Sequence, residues 1–65
     1  MTSYDVTVVI TDFEAIKYSL NALTVNNAVN KALAKLEDLL GREPQYKRIK
    51  VIRCVDGCTW NFEKG

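Results

Sequence analysis

Tyr46-Lys-Arg-Ile-Lys-Val-Ile-Arg-Cys-Val-Asp-Gly-Cys-Thr-Trp-Asn-Phe62 reads as a β-hairpin that turns at Asp56-Gly57. β-Branched and aromatic residues fill both arms, and such residues suit a pleated, half-buried surface. Asp-Gly fits the mirror-image turn of a two-residue hairpin loop, because both central residues take positive φ there. That loop sets a register in which Val55 faces Cys58, Arg53 faces Trp60 and Val51 faces Phe62. One face then holds Ile49, Val51, Val55, Cys58, Trp60 and Phe62; the other holds Arg48, Lys50, Ile52, Cys54, Thr59, Asn61 and Glu63. A three-residue loop, Val55-Asp56-Gly57, instead pairs Cys54 with Cys58 and moves Trp60 to the opposite face from Val51. The two-residue loop separates apolar from polar residues better and is the preferred reading.

Upstream of the hairpin, Tyr4, Val6, Val8 and Ile10 alternate with Asp5, Thr7, Val9 and Thr11, the period of a strand. Asp12-Phe13-Glu14 is the expected turn. Ile16, Tyr18, Leu20 and Ala22 then alternate with Lys17, Ser19 and Asn21, a second strand, although Phe13, Ile16, Leu20 and Leu23 also fit helical spacing. The strand is favoured, paired antiparallel with the first. Thr24 is an N-cap, and Val25, Ala28, Val29, Ala32, Leu33, Leu36, Leu39 and Leu40 follow the i, i+3, i+4, i+7 pattern of an amphipathic helix. Gly41 closes that helix and Pro44 bars its continuation. The expected architecture is α+β, ββαββ: one helix on one face of a four-stranded antiparallel sheet in the order 2-1-3-4.

Sixty-five residues make a single small domain, 1–65, in which little core can form and stability is marginal. A net charge of +1 argues against both a strongly basic nucleic-acid module and an acidic DNA mimic. No apolar run has membrane-spanning length, and the N-terminal residues lack the features of a secretory signal, so a cytoplasmic location is expected. In that compartment the two cysteines, Cys54 and Cys58, are free thiols, with Cys58 packed in the core. A tetrahedral metal site needs more donors than this pair supplies. There is no histidine, no phosphate-binding glycine loop and no carboxylate pair in an evident cleft. The reading is therefore of a non-enzymatic binding protein with no cofactor.

The open sheet face is the expected site. Val9, Ile52 and Cys54 form an apolar spot there, beside Arg48 and Lys50. The basic run Lys47, Arg48, Lys50 and Arg53 offers partners to acidic groups or phosphates, although alternation turns Lys47 and Arg53 away from Arg48 and Lys50. Trp60 belongs to the core. The residues expected to touch a partner are Arg48, Lys50, Ile52 and Arg53.

Ala22-x-Thr24-x-x-x-Ala28-x-x-x-Ala32, followed after the helix by Arg48-Ile-Lys-Val-Ile-Arg-Cys-Val55, resembles a family of small coliphage inhibitors of bacterial RNA polymerase. In that family two strands precede an amphipathic helix, and a strand with two arginines and a cysteine follows. The resemblance implies a phage protein that takes over a host function by binding the jaw of the polymerase β′ subunit, with Lys50 and Arg53 at the positions of the important arginines. This chain departs from the family in having asparagines at the helix start and a fourth strand. Ser3-Tyr-Asp-Val-Thr7 is also similar to the first strand of a phage inhibitor of uracil-DNA glycosylase, whose acidic surface this chain lacks. Two other expectations use the same elements. One is a small nucleic-acid-binding module acting through the open basic face. The other is a dimeric structural or accessory protein joined at strand two or strand four.

Overall fold

The computed structural model describes residues 1–63. Among them the chain forms β1 (Thr2–Val9), β2 (Ala15–Ala22), α1 (Val25–Leu40), β3 (Arg48–Arg53) and β4 (Thr59–Glu63). The four strands make one antiparallel sheet in the order β2-β1-β3-β4, as the sequence predicts. Residues 15–22, which fit both periods, are a strand. Their alternating apolar set pairs directly with that of β1: Val6 faces Tyr18, and Val8 faces Ile16.

The helix begins and ends where its chemistry dictates. Thr24 is extended, and its hydroxyl accepts the Asn27 N–H at 3.2 Å. Gly41, at φ 71°, takes the left-handed conformation and donates its N–H to the Glu37 carbonyl at 2.8 Å. A side chain is disfavoured at that φ, which is why glycine ends the helix.

The core lies between α1 and the sheet. Tyr4, Val6, Val8, Ala22, Ile49 and Val51 face Ala28, Ala32 and Leu36. The two alanines, one helical turn apart, let the helix approach the sheet closely, and Leu36 fills the remaining space. Burying each Val or Leu side chain contributes about 1.5–3 kcal/mol. No buried side-chain nitrogen or oxygen among the described residues lacks a partner.

The helix packs on β2, β1 and β3 and does not reach β4. Apolar residues on the helix side of β4 are therefore only part covered: Trp60 is half-buried and Phe62 is 37% exposed. Leu39 and Leu40 share the helix's apolar spacing but are exposed in its last turn.

The hairpin register differs from the sequence expectation. Val51 faces Trp60, and Ile49 faces Phe62. The loop is four residues, Cys54–Gly57, closed by the Gly57 N–H donating to the Arg53 carbonyl at 2.7 Å. Only Gly57 takes positive φ, at 74°; Asp56 does not. The reason is the Asp56 carboxylate. It accepts the Cys58 N–H at 3.1 Å and chelates the Arg53 guanidinium, so the aspartate works through its side chain rather than through a left-handed backbone. The shift is an even number of residues, so every strand residue keeps its expected face. The loop residues do not: Val55 is 80% exposed, and Cys58 is exposed rather than in the core.

Candidate functional site

The open face of the sheet is built from cross-strand rows. Ser19, Asp5, Ile52 and Thr59 lie side by side. The next row is Lys17, Thr7, Lys50 and Asn61, and the one after it Ala15, Val9, Arg48 and Glu63. Thr7 is thus flanked by two lysines, and Lys50 and Arg48 stand on the same side of neighbouring rows.

Of the expected contact residues, this arrangement brings Arg48, Lys50 and Ile52 together on β3. Arg48 and Lys50 are exposed and make no ion pair or side-chain hydrogen bond among the described residues. Ile52 is half-buried beside Asp5 and Thr59. The apolar spot is not continuous, because the Thr7–Lys50 row separates Val9 from Ile52. The face is therefore a cationic strip with single apolar residues at its margins. The polar groups at its other end satisfy one another: Ser3 Oγ donates to Asn21 Oδ1 at 2.7 Å, and Ser19 Oγ to Asp5 Oδ1 at 2.8 Å.

Arg53 does not join this strip. It faces Tyr4 and lies on the helix side of the sheet. Its Nε is 3.0 Å from Asp56 Oδ1, its Nη2 is 2.6 Å from Oδ2, and its guanidinium carbon is 5.1 Å from the centre of the Trp60 ring. Hydrogen bonds from Arg53, then from the Cys58 N–H, hold the Asp56 carboxyl well below the usual carboxylate range. The same pairing with Asp56 raises Arg53 above its ordinary value. The group expected to meet a partner also clamps its own hairpin loop.

Lys47 is likewise engaged, with Nζ 2.8 Å from Asp12 Oδ1. This pair ties the β1–β2 turn to the start of β3 and lowers the Asp12 pKa, first through the hydrogen bond and then through charge. A shallow groove lined by Val9, Asp12, Lys47, Arg48 and Glu63 lies at this end of the sheet.

Two exposed residues were not counted among the candidate contacts in the sequence. Lys17, 3.8 Å from Asp5 Oδ2, extends the cationic strip onto β2; strand alternation, once β2 is accepted, places it beside Thr7. Phe13 projects from the β1–β2 turn, 97% exposed. The Phe13 N–H donates to Thr11 Oγ1 at 3.2 Å, which shapes the turn beneath the ring. Its place in the expected Asp12-Phe13-Glu14 turn is the one sequence signal that marks it as exposed.

Cys54 and Cys58 are free and exposed, and no cluster of three or more His, Cys, Asp or Glu side chains suited to a metal occurs among the described residues. No helix among the described residues is long and apolar enough to cross a membrane. Comparison with models of protein families, with curated proteins and with solved structures finds no match to this chain.

Proposed function

We propose that this chain is a non-catalytic binding protein of the phage host-takeover kind, which acts in the host cytoplasm by laying its open sheet face on an acidic surface of a host protein. Arg48 and Lys50 supply the charge and Ile52 the apolar contact. The observation that supports this reading is that both cations are exposed on a central strand and form no ion pair or side-chain hydrogen bond among the described residues, whereas neighbouring Lys47 and Arg53 are engaged within the fold. Cations held on a strand, and not in a mobile loop, spare a partner the cost of ordering backbone and leave only side-chain immobilisation, about 0.5–1.5 kcal/mol each. RNA polymerase is the leading target, on the resemblance of the Ala22–Ala32 and Arg48–Val55 segments to the coliphage inhibitors.

The test is titration of the labelled protein with purified bacterial RNA polymerase and, separately, with duplex DNA, at several salt concentrations. The expected result is a saturable complex with polymerase that the double variant R48E/K50E fails to form, with the variant's circular dichroism unchanged. Undiminished binding by R48E/K50E would sink the assignment of the site. Binding to DNA alone, falling steeply with salt, would replace the protein partner with nucleic acid on the same face.

A further inference from the structure

The two edges of the sheet are not equivalent. The Cys54 N–H donates to the Ser3 carbonyl at 3.0 Å, and the Arg53 N–H to the Cys58 carbonyl at 2.8 Å. Hydrogen-bonded and non-bonded pairs alternate along antiparallel strands. Arg48, Lys50 and Ile52 therefore bond to β1, and Ile49 and Val51 to β4. On β4 the backbone of Trp60 and Phe62 is spent on β3, while Thr59, Asn61 and Glu63 aim their N–H and C=O outward. By the same alternation, Lys17, Ser19 and Asn21 face outward on β2.

Sheet edges are guarded by charged side chains, lysine above all, and by prolines, bulges or a covering element. The β2 edge has such guards. Lys31 of the helix donates from Nζ to the outward Asn21 carbonyl at 2.9 Å, Lys17 stands on the strand, and α1 packs across it. The β4 edge from Thr59 to Glu63 has no lysine, no proline and no covering element; its one charge, Glu63, stands at the end of the strand, and the helix stops short of it.

We propose that β4 is the interface of a two-fold symmetric homodimer, in which it pairs antiparallel with β4 of a second copy about Asn61. The strand is self-complementary in this register. Asn61 meets Asn61, and Thr59 meets Glu63, in the hydrogen-bonded positions, so all three outward residues find partners. Trp60 meets Phe62 in the non-bonded positions, where facing side chains lie closest, and aromatic cross-strand pairs stabilise a sheet there. The one charge on the strand, Glu63, falls opposite neutral Thr59, so no like charges oppose. Shifting the centre to Trp60 or Phe62 leaves part of this five-residue strand unpaired. Both helices lie on the same side of the joined sheet, and the uncovered aromatic strips of the two copies meet between them. A contact of one short strand per copy buries less than the roughly 800 Å² per partner of stable complexes. The dimer is therefore reversible and its population follows protein concentration.

The test is sedimentation equilibrium over a broad concentration series in reducing buffer, so that Cys54 and Cys58 cannot cross-link. Wild-type mass is expected to rise from one chain to two. N61K, which sets lysines face to face, should weaken association about tenfold. An equimolar mixture of N61K and N61D should regain a mixed dimer, and S19K, at an outward position of β2, should dimerise like wild type. Amide hydrogen exchange gives a readout free of substitutions: protection of Thr59, Asn61 and Glu63 should increase with concentration. A wild type that stays monomeric, an S19K that dissociates while N61K does not, or outward β4 amides indifferent to concentration would each overturn the proposal.

Discussion

Arg53 carries the same charge as Arg48 and Lys50 and lies on the same strand, yet an odd offset in sequence turns it to the other face. There its fork engages the Asp56 carboxylate and stacks near Trp60, a geometry the point charge of lysine cannot reproduce. R53K and D56N are therefore expected to lower the melting temperature, whereas R48Q, whose side chain makes no ion pair or hydrogen bond among the described residues, should leave it nearly unchanged. The acid limb of stability should report the clamp as well. A carboxyl whose folded pKa is depressed stabilises fully above its unfolded value, near 4, and loses that contribution as pH falls through the folded value. The wild type should lose more stability than D56N between pH 4 and lower values, checked by urea unfolding across that range. Alternation alone made the separation of Arg53 from Lys50 legible in the sequence. The clamp was not legible, because Asp56-Gly57 carries the signature of a tight turn, and only the paired geometry shows the carboxylate serving two donors instead.

The helix could be read from apolar spacing because its period is long and it is capped at both ends by Thr24 and Gly41, and the first strand from its strict alternation; the second strand fitted both periods, and its pairing with β1 decides it. The hairpin loop could not, since loop length depends on side-chain hydrogen bonds that spacing does not encode. The faces of β3 and β4 survived the error only because the register moved by an even step. Leu39 and Leu40 fitted the helix pattern too, but a helix of sixteen residues spans roughly 24 Å and carries its last turn past the strongest part of the core. Truncation should expose this gradient along α1. L36A is expected to cost about 2–5 kcal/mol, L39A less than about 0.5 kcal/mol, and T24A about 1 kcal/mol through loss of the cap. Chemical denaturation of the three variants checks the order. A domain of this size has only a few kcal/mol in total, so L36A should be largely unfolded at room temperature.

The assembled molecule presents three unlike surfaces: a helix face, an open face with Lys17, Arg48 and Lys50, and a β4 margin that no helix covers. Its overall charge is close to neutral, so binding through the open face should depend on local charge, with an affinity that falls only moderately as salt rises. A slope matching several phosphates would contradict this. The architecture was legible because each strand buries one face and the helix one stripe; the uncovered β4 margin was not, because a one-dimensional pattern does not show how far the helix reaches across the sheet. Trp60, the chain's sole tryptophan, sits between the Arg53–Asp56 clamp and the β4 margin. The protein thus carries its own optical reporter. Its emission should shift to the blue when the margin becomes covered and change in the opposite sense when the clamp is broken, so an unlabelled sample in a fluorimeter can follow both events.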